Sequence, residues 1–164
     1  MAEFFNHFEV DYSNNRSKSE TIFQGQTYRI TILTERLIRF EYNKDGIFFD
    51  DLTELVRNRN FSVPEFQVQQ DERFLEITTK YFQLQYAKEK PFIGSKLAPD
   101  ANLKVTLVNA DKLWYFNHPE ARNFGTSPTS LDENSEKIKY SKGLYSVDGF
   151  ASLDDSRSLI LMPD

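Results

Sequence analysis

Residues 28–42 read Tyr28-Arg29-Ile30-Thr31-Ile32-Leu33-Thr34-Glu35-Arg36-Leu37-Ile38-Arg39-Phe40-Glu41-Tyr42. Tyr28, Ile30 and Ile32 alternate with Arg29, Thr31 and Leu33. After Thr34-Glu35-Arg36, a second run sets Ile38, Phe40 and Tyr42 against Arg39 and Glu41. Successive strand side chains point to opposite faces, so period-two alternation predicts two half-buried strands joined by a short turn. The pattern recurs at Leu75, Ile77 and Thr79, at Phe82, Leu84 and Tyr86, and at Leu103, Val105 and Leu107. Asp45-Gly46 offers the positive φ of a tight hairpin after the second run. Gln70-Asp71-Glu72 divides residues 65–70 from residues 73–79 as a further hairpin. Pro64 and Pro91 stand at run edges, where a missing N–H is tolerated. Many short strands separated by turn signals predict an all-β sandwich or barrel. Residues 51–58 are the one stretch read as a short helix, and residues 14–20 and 130–139 are polar enough to be loops.

Composition narrows the class. The 164 residues are 39% hydrophobic and 15% aromatic, with 15 Phe and 8 Tyr, so the chain is rich enough in core-forming rings to fold as one domain over residues 1–164. The formal charge of -5 argues against nucleic-acid or anionic-membrane partners, which need clustered Lys and Arg. There is no Cys, which excludes disulfides and Cys-ligated metals. No basic-then-apolar leader opens the sequence and no run of about 18 apolar residues occurs, so the expected location is cytoplasmic. Asn60-Phe61-Ser62 matches a glycosylation sequon, and without a leader it reads as chance.

Signatures of catalysis are absent. The sequence has no phosphate-cradling glycine loop, no His-rich metal motif and no Gly-x-Ser-x-Gly elbow. His7 and His118 are the only imidazoles; no metal or other cofactor is expected. Asp50-Asp51 and Asp154-Asp155 supply carboxylate pairs, and a pair of unequal acidity is what glycosidase chemistry uses. Neighbouring positions on a strand face opposite ways, however, so Asp154 and Asp155 are not expected to address one substrate together. Trp114-Tyr115-Phe116 is the densest aromatic run. Its rings suit either strand packing or stacking on a pyranose.

Three segments resemble the N-terminal domain of glycoside hydrolase family 31, the α-glucosidases, α-xylosidases and related transglycosylases. The first is the stretch from Arg29 to Tyr42, similar to the family's pair of early strands, with Phe49-Asp50-Asp51 through Phe61 like the following linker. The second is Asn123-Phe124-Gly125-Thr126-Ser127-Pro128-Thr129-Ser130-Leu131-Asp132, similar to Asn-Leu-Gly-Gly-Thr-x-Arg-Thr-Leu-Asp. Thr126 replaces the second Gly and Thr129 the Arg. The third runs from Gly143 to Ser156 and resembles Gly-Leu-x-Ser-Arg-Asp-Gly-Trp-x-x-x-Asp-Asp-Ser, with Val147 for the Arg and Phe150 for the Trp.

The resemblance implies a mostly antiparallel, galactose-mutarotase-like β-sandwich without catalytic residues of its own. The family's catalytic pair sits on a following (β/α)8 barrel of roughly 250 residues, which these residues do not include. The implied partners are that barrel, in the same polypeptide, and an oligosaccharide substrate touched through loops at the pocket rim. Trp114, Tyr115, Asn123, Phe124, Asp148, Asp154 and Asp155 are the expected carbohydrate or barrel contacts. A free-standing carbohydrate-binding module, based on Trp114, Tyr115 and Asn123, is an alternative. A mutarotase-like enzyme is another, although it would need an acid and a base at one sugar. A purely structural or protein-interaction β-domain, with an apolar face, is the last.

Overall fold

The structure, a computed structural model, describes residues 10–93, 101–126 and 141–163. Its strands are β1 (Ile22–Gln24), β2 (Tyr28–Thr34), β3 (Leu37–Tyr42), β4 (Gln67–Gln70), β5 (Phe74–Thr78), β6 (Phe82–Ala87), β7 (Leu103–Leu107) and β8 (Lys112–Tyr115). They form a three-stranded sheet, β1-β2-β3, and a five-stranded sheet, β4-β5-β6-β7-β8, with every neighbouring pair antiparallel. The fold is an all-β sandwich, as the alternation predicts. Among the described residues no helix is long and apolar enough to cross a membrane.

The core lies between the sheets. Tyr28, Ile30 and Ile32 of β2 meet Leu75, Ile77, Phe82, Leu84, Tyr86, Leu103 and Val105 of the larger sheet. Full burial of each aliphatic side chain contributes about 1.5–3 kcal/mol. Aromatic pairs span the gap at an edge-to-face contact of Tyr28 with Tyr86, centroids 4.9 Å apart, and at a stack of Phe40 on Trp114, 5.3 Å apart and 4° from parallel.

Turns obey local chemistry. At the β4–β5 hairpin, Asp71 Oδ1 accepts from Arg73 N and Phe74 N, each at 2.7 Å. The β2–β3 turn is held by Arg36 N donating to Thr34 Oγ1 at 3.1 Å. Gly46 has φ +70 and its N–H closes a turn on Asn43 O, but no strand follows, so Asp45-Gly46 makes a turn rather than the expected hairpin.

Two further expectations give way. Residues 51–58 are not helical. Leu161 N donates to Leu52 O and Glu54 N to Leu159 O, so this backbone is committed to a distant segment instead of to its own turns. β2 is also buried on both faces, not one: Arg29 lies under the segment that follows β3, and Thr31 is buried too. Residues 14–20 overlap two short 3-10 turns, Tyr12–Asn15 and Ser19–Thr21. Residues 130–139 lie outside the described residues.

Candidate functional site

The outward face of β2 and β3 carries a dense set of charges. Arg29 donates to Glu41 through Nε at 2.6 Å and Nη2 at 2.8 Å, and its Nη2 lies 2.9 Å from Asp50 Oδ1. Arg39 reaches Glu41 at 2.8 Å, and Arg16 reaches Asp50 Oδ2 at 3.0 Å. Burial alone would raise the Asp50 carboxyl, but Arg29, Arg16 and Arg39 hold it below its ordinary range. Arg59, also buried, donates through Nη1 to Asp50 O at 3.0 Å and Asp51 O at 2.6 Å. Removing these charges from water is costly unless all are paired, and the bidentate Arg29–Glu41 geometry offsets much of that cost. These groups clamp the linker after β3 onto the sheet. Their carboxylates and guanidinium groups are spent on one another and on linker carbonyls, which makes them architecture.

Asp155 joins the same cluster from the far end of the chain. It accepts from Thr53 Oγ1 at 2.8 and 3.0 Å and lies 3.8 Å from Arg59 Nη2. Asp154 turns the other way, is exposed, and accepts from Ser156 N at 3.0 Å. The Ser156 hydroxyl and amide hold its carboxyl below the usual value. Asp148 is buried against Arg122 at 3.1 Å and Lys112 at 3.5 Å. Asp148 and Asp155 are thus tied into the fold by ion pairs, Asp155 with part of its carboxylate still open, and Asp154 is the most exposed of the three.

Asn123 joins two of the segments singled out in the sequence. Its Oδ1 accepts from Gly125 N at 2.9 Å and Gly143 N at 2.8 Å, and its Nδ2 donates to Gly143 O at 2.8 Å. Around it, Phe124 N donates to Tyr145 O and Val147 N to Arg122 O, and Asn123 bridges to Ser146. Geometry favours glycine at both positions. Gly125 has φ +68, and a Cβ on Gly143 would sit 3.1 Å from Gly125 O.

The aromatic run serves the protein interior. Trp114 stacks on Phe40 and donates Nε1–H to Ser152 Oγ at 2.9 Å. Tyr115 points to the opposite sheet face, where His118 packs edge-on against it and Phe150 packs edge-on against His118. Glu120 is a site that sequence reading missed. Its backbone has φ +50, which is strained for a residue with a Cβ, and its side chain is 1% exposed. Its carboxylate lies 3.7 Å from Lys142 Nζ and accepts from Ser152 N at 3.3 Å, while its own N–H donates to His118 Nδ1 at 3.0 Å. That last bond occupies a ring nitrogen of His118. Among the described residues no group of His, Cys, Asp or Glu is arranged to hold a metal ion, and His7 lies outside them.

Phe124 and Tyr145 remain open. Their neighbours Asn123 and Ser146 pair, so both rings stand on one fixed piece of backbone, yet Phe124 is 69% and Tyr145 79% exposed. Leu144 and Val147, beside Tyr145 in the chain, are exposed as well. Rigid backbone carrying uncovered apolar side chains is the mark of a contact surface. No protein-family model matches the chain, and no curated protein matches it.

Proposed function

We propose that this chain is a non-catalytic β-sandwich domain of a retaining α-glycosidase of the family 31 type, with a galactose-mutarotase-like fold. It packs on a catalytic barrel of the same polypeptide through the face that carries Phe124, Leu144 and Tyr145, and it shapes the rim of a pocket for an oligosaccharide. The observation that supports this reading most is the coupling of the two family-like segments. Asn123 fixes the 122–126 backbone to the 141–147 backbone and leaves their apolar side chains pointing away from the domain's own core. Asp148 and Asp155 then hold the flanking turns by ion pairs.

In this reading the fragment has no turnover of its own. α-Glucosidase and α-xylosidase assays on the purified chain are expected to give the buffer rate. Activity that follows the chain through every purification step would overturn the assignment. A mutarotase reading needs a sugar-accessible acid and base. The nearest such groups, His118 and Glu120, are engaged with backbone, aromatic rings and Lys142. The free-standing sugar module loses its motivation at Trp114, Tyr115 and Asn123, whose side chains are engaged with the protein itself.

A further inference from the structure

β4 is an outermost strand of the five-stranded sheet, and its free edge is open. Asp71 N donates to Phe74 O, and β4 pairs with β5 at Gln69↔Glu76 and Gln67↔Thr78. Backbone bonds alternate along an antiparallel ladder, so the N–H and C=O of residues 67, 69 and 71 point to β5, and those of Val68 and Gln70 point away from it. Among the described residues nothing bonds those four outward groups. Native edges are ordinarily blunted by Lys, Pro, a bulge or a covering loop. Gln67-Val68-Gln69-Gln70 contains neither Lys nor Pro and pairs with β5 without a bulge. β1 offers less, because Ile22 N already donates to Ser19 O.

The surroundings of this edge define what fits it. Phe66, just ahead of β4, meets Phe23 of β1 edge-on with centroids 5.8 Å apart, and both rings and Val68 are only partly buried against the core. A strand added to β4 lays alternate side chains on this apolar rim. The charge is one-sided. Residues 60–72 carry Glu65, Asp71 and Glu72, all exposed, and no Lys or Arg. Of the cations beyond the turn, Lys88 is committed to Gln70 Oε1 at 3.0 Å and Asp71 O at 2.7 Å. These acids favour a basic partner and count against a second copy of the chain. Antiparallel pairing of two β4 strands about Val68 would set Glu65 of one opposite Asp71 of the other, and like charges directly opposite are destabilising.

We propose that β4 receives an extended segment of another protein as an added strand, apolar where it meets Phe66 and Val68 and basic beside Glu65 and Asp71. Main-chain bonds to Val68 and Gln70 supply the affinity and the alternating side chains the specificity. The inference is independent of the family 31 reading, because Phe124 and Tyr145 take no part in it. Amide NMR of the whole chain tests it, with a capped heptapeptide that alternates lysine and valine as the probe. The peptide is expected to shift the Val68 and Gln70 amides most and to slow their solvent exchange at least tenfold. Glutamate in place of lysine should weaken binding at least tenfold, and proline in place of the central valine should abolish it. Glu65→Lys combined with Gln69→Lys, both exposed positions, should weaken the lysine peptide at least tenfold. The amide spectrum of that variant alone establishes that it is folded. Tyr145→Ser should leave binding unchanged. No protection at Val68 and Gln70 overturns the proposal, as does a glutamate peptide that binds equally well or binding that survives the double change. Protection that grows with protein concentration in the absence of peptide overturns it in favour of a second copy.

Discussion

Asp50 and Asn123 show how much a single polar side chain can decide. Asp50 is close to Arg16, Arg29 and Arg39, so Asp50→Asn removes one of the two carboxylates that face the buried Arg29 guanidinium, leaving Glu41 alone to pair it, and is expected to cost about 1–3 kcal/mol in urea unfolding at neutral pH. The pH dependence has a definite sign. The folded carboxyl titrates below its ordinary value of 3.8, so its contribution is complete above that value and is lost as pH falls through the lower folded value. The wild-type advantage over Asp50→Asn should therefore hold from neutral pH to about pH 5 and shrink on further acidification. An advantage that persists unchanged to about pH 2 would contradict this account. Asn123→Ala removes three side-chain hydrogen bonds, two of which are to Gly143. The expected loss is about 2–3 kcal/mol, with faster amide exchange concentrated in residues 122–126 and 141–147. The importance of Asn123 was visible in the sequence, but its role was not. An Asn before an exposed Phe reads equally well as a ligand contact, and only the return of the chain at Gly143 makes it a brace.

Among the elements, the strands were the readable part, because alternation records which face is dry. β5, β6 and β7 follow that record, while β2 and β3 were legible as strands but not in which face is covered. β1 escaped notice because three residues are too few to show a period. Residues 51–58 misled because Leu52, Leu55 and Val56 have helical spacing, while the backbone bonds that decide the matter come from residues 159–161. Arg29 misled in another way. A charged residue on an alternating strand marks the wet face, yet here its charge is cancelled by Glu41 and Asp50 and the face is covered. The junction of β3 with β8 offers a direct test, since Trp114 is the only tryptophan and stacks on Phe40. Phe40→Ala should lower stability by about 3–4 kcal/mol and move native fluorescence to longer wavelength. Unchanged emission would mean the ring is shielded by other groups.

At the scale of the whole molecule, Phe124, Leu144, Tyr145 and Val147 form an uncovered apolar region on fixed backbone. If it is a contact surface, the isolated chain should associate weakly with itself. Light scattering is expected to show an apparent mass that rises with concentration. The double change Phe124→Ser and Tyr145→Ser should flatten that rise and leave stability within about 0.5 kcal/mol, as exposed sites usually do. A strictly monomeric wild type at high concentration would count against the surface. This property could not be read from composition. The sequence contains many aromatics, and nothing in their spacing separates Phe124, which points outward, from Phe40, which is stacked inside.

The bond from Thr53 to Asp155 joins positions 102 residues apart, and residues 159–161 lie along residues 52–54. This closure gives the chain a timetable. During synthesis at about 5–20 residues per second, residues 52–54 wait roughly 5–20 seconds for the partners that seal them. Both sheets can form in that interval, and Arg29 and Arg59 can already hold residues 49–51, but the seam at residues 52–54 stays unpaired. The emerging sandwich thus carries one unsealed seam until residues 155–161 arrive, and that seam is where a chaperone or a protease would first find a hold.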